Sequence, residues 1–227
     1  VRLLLVSATE FELAGVGEAL NILPNQVAGN QEEGSKISWL VHGVGMVETA
    51  FSLGQHFAKN QYDLIIQAGI AGAIDRSIEL GSVVEIQSDC FGGFGAEHQD
   101  ESIESVFDLG LISKGGIYNS SGFIKNQRQP IEDLRQCIGI TVQAAHGSEP
   151  SINRMKVEHP SCQVESMEGA AFLMSCKRAG QAGVQLRAIS NYVEPRNRDA
   201  WKIQEALDSL NKYLIEYIKT LSSNFAQ

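Results

Sequence analysis

A unit recurs along this chain and narrows the folds open to it: a short apolar run, a turn of small or polar residues, then an amphipathic helical pattern. Leu3-Leu4-Leu5-Val6 reads as a buried strand and Ser7-Ala8-Thr9 as a turn, after which Phe11, Leu13, Val16 and Leu20 fall near one face of a helix. Ile37-Ser38-Trp39-Leu40-Val41, Gly43-Val44-Gly45 and Val47 to Phe57 repeat the order strand, turn, helix. Asp63-Leu64-Ile65-Ile66-Gln67-Ala68 is another buried strand, ending in Gly69-Ile70-Ala71-Gly72, and Ser82-Val83-Val84-Glu85-Ile86 alternates as the next. Strands alternating with helices specify a layered α/β fold, because strands apolar on both sides need helices on both faces of their sheet. The pattern weakens from Ser88 to Gln136 into Gly, Ser and Asn clusters such as Phe91-Gly92-Gly93-Phe94-Gly95, and stretches this long in compact domains are usually functional loops, lids or interfaces. It returns with a strand from Gly139 to Gln143, a helix from Gly169 to Ala179, a strand from Val184 to Ile189 and a last helix from about Asp199 to Leu221. Ligand sites in such folds gather at the carboxyl ends of the strands, where the Gly-rich and polar segments fall.

Composition removes several classes of function. A chain of 227 residues with 43% hydrophobic and 20% charged residues fits one packed domain core. Lys and Arg total 18 against 27 for Asp and Glu, and the resulting charge of -9 repels nucleic-acid phosphates and anionic lipid, so neither is expected as a partner. The apolar runs are too short to span a membrane and no secretory leader pattern precedes them. Cys90, Cys137, Cys162 and Cys176 include no C-x-x-C pair and read as reduced thiols of a cytoplasmic protein. The five histidines show no H-E-x-x-H or related spacing, so no metal is expected.

Four segments carry chemistry. Gly43-Val44-Gly45-Met46-Val47-Glu48 starts like a dinucleotide fingerprint but has Glu48 where a small residue is needed for close helix packing, which argues for a tight turn and against a Rossmann cofactor. Thr9-Glu10-Phe11-Glu12 matches a capping box, so Glu12 is either a helix cap or a carboxylate presented to a ligand or water. Val164-Glu165-Ser166-Met167-Glu168-Gly169-Ala170-Ala171 puts two carboxylates and a Met before a helix that opens with small residues. The helix dipole favours acids there, and a carboxylate so placed also suits two vicinal sugar hydroxyls. The last strand ends in Ser190-Asn191 and a polar, Pro-containing loop, which by itself is ordinary turn punctuation.

Together these segments, with Gln67-Ala68-Gly69-Ile70-Ala71-Gly72, resemble the nucleoside phosphorylase and nucleosidase superfamily, in the branch holding the methylthioadenosine/S-adenosylhomocysteine nucleosidases. Ser190 to Trp201 looks particularly like the futalosine hydrolases of menaquinone biosynthesis. The resemblance implies one domain over residues 1–227, with a three-layer nucleoside phosphorylase-like fold whose central mixed, twisted sheet is flanked by helices. It also implies a small-molecule nucleoside substrate, no cofactor, and a homodimer or higher homo-oligomer in which a partner loop covers the 5′ pocket. The Ser88 to Gln136 region is the candidate for that loop. The family's water-activating carboxylate falls on Glu12 and its ribose ligand on Glu168, with Met167 against the sugar; the position before that Met falls on Glu165 or Ser166. Ala71 and Gly72 are substrate-binding candidates, and Trp201 is expected to line the sugar and 5′ side or to anchor the last helix. Arg196 and Arg198 are candidates to meet the carboxylate of futalosine, or else solvated loop residues.

At the purine-facing position the adenine-specific relatives carry an Asp, and this chain carries Asn191. Adenine offers an acceptor beside a donor along that edge, whereas a 6-oxopurine offers two acceptors, N7 and O6. An amide has two N–H donors for them. The expectation is therefore hydrolysis of futalosine to hypoxanthine and dehypoxanthine futalosine, with Glu12 activating water and Asn191 stabilising the leaving base. The alternatives are a methylthioadenosine/S-adenosylhomocysteine-type nucleosidase, a purine nucleoside phosphorylase, or a nucleoside-binding domain without turnover. A phosphorylase needs a cationic cradle near the first turn, where this chain has Glu10 and Glu12.

Overall fold

The computed structural model describes residues 1–29 and 36–224. In chain order these form β1 (Arg2–Ser7), a 3-10 turn at Glu10–Leu13, α1 (Ala14–Leu20), β2 (Gln26–Gly29), β3 (Lys36–Val41), α2 (Met46–Phe57), β4 (Leu64–Ala73) and β5 (Val83–Phe91). There follow β6 (Gly95–Glu97), β7 (Ile103–Ser105), β8 (Ile124–Lys125), β9 (Arg135–Thr141), α3 (Glu149–Glu158) and β10 (Val164–Ser166). The chain ends in α4 (Gly169–Arg178), β11 (Gly183–Tyr192), a 3-10 turn at Arg198–Ala200 and α5 (Ile203–Asn224).

The main sheet runs β10-β9-β5-β11-β4-β1-β3-β2. Its centre is parallel, with β1 between β3 and β4, and β11 beside β4; β11 meets β5 antiparallel, which makes the sheet mixed. β10 also pairs antiparallel with the far end of β4, through Val164 and Ala73, so strands β4, β11, β5, β9 and β10 close on themselves. β1 shows why the layers form. Leu3 and Leu5 point into a core with Leu13 and Val16 and with Ala206, Leu210, Leu214 and Ile218 of α5. Leu4 and Val6 point the other way, onto Leu53 and Phe57 of α2 and Ala170, Phe172 and Leu173 of α4. Period-two alternation thus divides one apolar run between two helical layers. Among the described residues no helix is long and apolar enough to cross a membrane.

Several expected boundaries shift. Phe11 does not share the buried face of its helix: it sits in the 3-10 turn and is 80% exposed. β4 does not stop at Ala68 but continues to Ala73, because β11 stays paired beside it and neighbouring side chains fill the space above its small residues. The last helix starts at Ile203, residues 198–200 forming a separate 3-10 turn.

Candidate active site

Segments at the carboxyl ends of β1, β4, β10 and β11 line one cleft of about 310 Å³. Glu12 enters it from the turn after β1. Its Oε2 accepts the backbone N–H groups of Ala8 (2.8 Å) and Thr9 (2.9 Å), and its Oε1 accepts that of Ile70 (3.2 Å). The bond from Thr9 is the reach-back of the capping box, so capping and presentation to the cleft are one geometry. Burial pushes the Glu12 carboxyl above its ordinary range; Arg187 and the Thr9 N–H oppose this, Glu168 adds to it, and the Ile70 N–H opposes it.

Glu168 caps α4 and is likewise buried. Its Oε1 accepts the N–H of Gly45 at 3.0 Å, and its Oε2 lies 3.5 Å from Arg187 Nη1. The Gly43-Val44-Gly45 turn is therefore a strut for Glu168, and Gly45 at φ +88° takes a conformation that costs side-chain-bearing residues energy. That N–H is committed to Glu168 and is not free for a ligand.

Arg187 is the residue that pattern reading passed over. It is 1% exposed on β11, and its Nε donates to Gln185 Oε1 and its Nη2 to Gln67 Oε1, both at 3.0 Å. A Cβ on Gly69 would lie 2.4 Å from Glu12 Oε1 and 2.8 Å from Arg187 Nη1, so a bare Cα at this point of β4 lets carboxylate and guanidinium approach. The signal was present: an Arg inside a strand buried on both faces has to be paired. Behind it, Gln185 Nε2 donates to Asp89, which also accepts from Thr141 Oγ1. Asp89 is fully buried, and burial pushes its carboxyl up to about 7 against the pull of Gln185, Thr141 and Arg187. His42, beside Gln67, is held neutral by burial, its pKa lowered to about 4.

Further along β4 the wall changes character. β11 shifts register between Ile189 and Asn191, a bulge of the kind that re-aims side chains beside sites. Asn191 Nδ2 would lie 3.1 Å from a Cβ on Gly72. Gly72 is three residues beyond Gly69, roughly 10 Å along a strand. Ser190 Oγ donates to Asn191 Oδ1 (2.8 Å), and Asn191 Nδ2 donates to the Tyr192 carbonyl (3.0 Å). One amide hydrogen is thus already used, leaving one for a ligand instead of the two that the sequence reading gave to a 6-oxopurine.

Ala71, Met167, Trp201 and Arg196 also line the cleft. The Arg196 guanidinium carbon lies 5.6 Å from the centre of the Trp201 ring; Arg198 reaches the same ring at 6.0 Å but stands outside the cleft lining. Glu165 and Ser166 both reach the cleft, and Glu165 accepts the backbone N–H of His146 (3.0 Å) and pairs with its ring Nδ1. His146, too, went unpredicted, since a lone His after two Ala residues carries no pattern. No residue of the 88–136 region lines this cleft.

With this geometry in view, comparison places the chain. A sequence model of the Phosphorylase superfamily matches residues 2–221, and the chain belongs to that family. Within it, the chain is 30% identical over 149 residues to the futalosine hydrolase of Streptomyces coelicolor, an alignment covering 66% of this chain and 62% of that protein. It is 28% identical over 216 residues to the futalosine hydrolase of Acidothermus cellulolyticus, covering 92% and 87%. A mutant Helicobacter pylori methylthioadenosine/S-adenosylhomocysteine nucleosidase, solved with 5′-methylthioadenosine in its active site, superposes with a TM-score of 0.75 at 15% identity, covering 96% and 98% of the two chains. The three-layer fold is therefore the nucleoside phosphorylase-like one.

Proposed function

We propose that this protein is an N-ribosyl hydrolase that cleaves futalosine to hypoxanthine and dehypoxanthine futalosine. The reading is carried by one observation: two buried carboxylates, Glu12 and Glu168, line one part of the cleft with Arg187 buried behind them, and an amide, Asn191, lies roughly 10 Å further along the same strand pair. N-riboside cleavage passes through an oxocarbenium-like transition state that needs water activation on one side and leaving-group stabilisation on the other. Glu12, its carboxyl basicity raised by burial, takes the proton of the attacking water. Glu168 accepts the ribose hydroxyls, with Met167 against the sugar. Asn191 donates its remaining N–H to the purine, and His146, paired through Nδ1 with Glu165, lines the same cleft beside it. Trp201 lines the 5′ side, and Arg196 meets the substrate carboxylate there; Arg198 can steer it from outside.

Two features favour hydrolysis over phosphorolysis. Arg187, a buried cation of the site, is already bonded to Gln185 and Gln67 and faces Glu168, and the first turn carries carboxylates that repel phosphate. Phe11 and Val44, both exposed and both on the cleft lining, with exposed Val47 and Phe51 on the helix that follows Val44, are the residues proposed to be covered by a second copy of the chain. The test is to incubate the protein with futalosine, inosine and methylthioadenosine, with and without phosphate. The expected result is phosphate-independent release of hypoxanthine from futalosine. Preferential release of adenine from methylthioadenosine would assign it to the adenine-specific nucleosidases, phosphate dependence to the phosphorylases, and tight binding without turnover to a sensing role.

A further inference from the structure

Outside the cleft, three potential ligand atoms from distant parts of the chain converge. Cys90 lies near the end of β5, His159 caps the C-terminus of α3, and Cys162 lies two residues before β10. Cys90 Sγ is 3.9 Å from Cys162 Sγ and 3.8 Å from His159 Nδ1, and all three atoms lie within 4.8 Å of one another. Tetrahedral zinc, with Zn–S of about 2.3 Å and Zn–N of about 2.0–2.1 Å, requires ligand separations of about 3.8 Å between sulfurs and about 3.6 Å between sulfur and nitrogen. The observed separations fall within a few tenths of an ångström of both. Two buried cysteines can also pack as small apolar groups, and both thiols lie near the Gly139 carbonyl. What packing alone does not call for is the imidazole nitrogen aimed at the same point. A cavity lined by Cys90, Phe91, His159 and Ser161 opens beside two of the three residues.

We propose that Cys90, His159 and Cys162 form a zinc site that ties β5 to the C-terminus of α3 and the lead into β10. Thiolate and imidazole together select a borderline-soft cation such as Zn²⁺ over Mg²⁺ or Ca²⁺. On binding, both thiols become thiolates, their two protons pass to solvent, and two Zn–S bonds and one Zn–N bond form. The site is a staple for the base-side wall of the cleft, since β10 carries Glu165 and α3 follows the His146 segment; it is separate from the hydrolytic chemistry.

The experiment is a titration of chelator-treated, reduced full-length protein with Zn²⁺, and with Co²⁺ as a spectroscopic probe. The expected results are binding of one ion per chain, proton release read from a binding heat that varies linearly with buffer ionisation enthalpy, a thiolate-to-cobalt charge-transfer band and a rise in Tm with Zn²⁺. Cys90→Ser and Cys162→Ser should abolish the band. His159→Ala, at a half-buried helix end, should weaken affinity by at least the roughly 10–100-fold that losing an outer hydrogen-bonding partner costs a metal site. Cys137→Ser, a buried cysteine outside the cluster, should leave binding unchanged. Failure of the wild-type protein to bind either ion in a one-to-one ratio overturns the proposal, as does binding that survives loss of both cysteines.

Discussion

With one oxygen of Glu12 fixed by the N–H groups of Ala8 and Thr9 and the other by that of Ile70, an amide in its place keeps the shape, loses the basicity and turns one N–H₂ toward a backbone donor. Glu12→Gln should therefore lower kcat by about 10²–10⁴-fold, the usual contribution of a general base, while substrate Kd changes little. Because the base must be ionised and burial raises its pKa, kcat/KM of the wild type should fall as pH drops through a value above that of an exposed Glu. That limb should vanish in the variant; near-wild-type single-turnover rates in Glu12→Gln would reduce the residue to a helix cap. At Asn191 the neighbours decide the outcome. Asn191→Asp would set a carboxylate oxygen against the Tyr192 carbonyl, a contact tolerated only when the acid is protonated. The variant should lose activity as pH rises, and its kcat/KM ratio for the 6-amino analogue over futalosine should increase. An unchanged ratio would assign base selection to other groups.

Among elements, the start of α4 and the strands beneath it depend on missing side chains. A Cβ on Gly169 would lie 2.2 Å from Asp89 Oδ2 and 2.3 Å from Gln185 Oε1. Gly169→Ala should cost about 1–3 kcal/mol by overpacking, read from urea unfolding, and should disturb the Gln185 bond that holds Arg187. Asp89 itself makes stability depend on pH. Its folded pKa of about 7 lies above its ordinary 3.8, so between those values the folded state holds a proton that the unfolded state has released. Its stabilising contribution is complete below the unfolded value and is lost as pH rises through about 7. Glu12, also raised, adds a contribution of the same sign. His42, lowered to about 4, contributes with the opposite sign up to its ordinary 6.5, so the test is the difference between the two proteins: the Tm of Asp89→Asn relative to that of the wild type should rise from pH 5 to pH 8. An equal slope in both proteins would place the titration elsewhere.

At the scale of the whole molecule, the last helix holds the first catalytic candidate. Asn211 on α5 accepts the Val16 N–H (2.8 Å) and donates to the Glu12 carbonyl (2.9 Å), joining the two ends of the chain beneath the cleft. Asn211→Ala leaves a buried donor unpaired, at about 1–3 kcal/mol, and should lower kcat more than it raises KM. Denaturant unfolding and steady-state kinetics measured together test this, and a stability loss with unchanged kcat would separate the helix from the site. The layers around that contact were readable beforehand. β1, β3, β11, α2, α4 and α5 are legible as elements from their apolar runs, and in α5 the spacing of Ala206, Leu210, Leu214 and Ile218 also states the buried face; in β11 it does not, since Gln185 and Arg187 are buried as deeply as their apolar neighbours. α3 has only Ile152 and Met155 as buried residues, and β10 is Val-Glu-Ser, so neither shows a period. Glu12, Glu168 and Asn191 were legible as polar residues at strand ends within motifs. Their geometry was not: Arg187 beside Glu168, the bulge that turns Asn191, and the meeting of Cys90 with His159 and Cys162 each join segments far apart in sequence. Local sequence determines which groups must leave water and what backbone they adopt on the way. Which buried charge meets which partner depends on register, on strand closure and on where a glycine leaves room, and those are settled only when the layers pack.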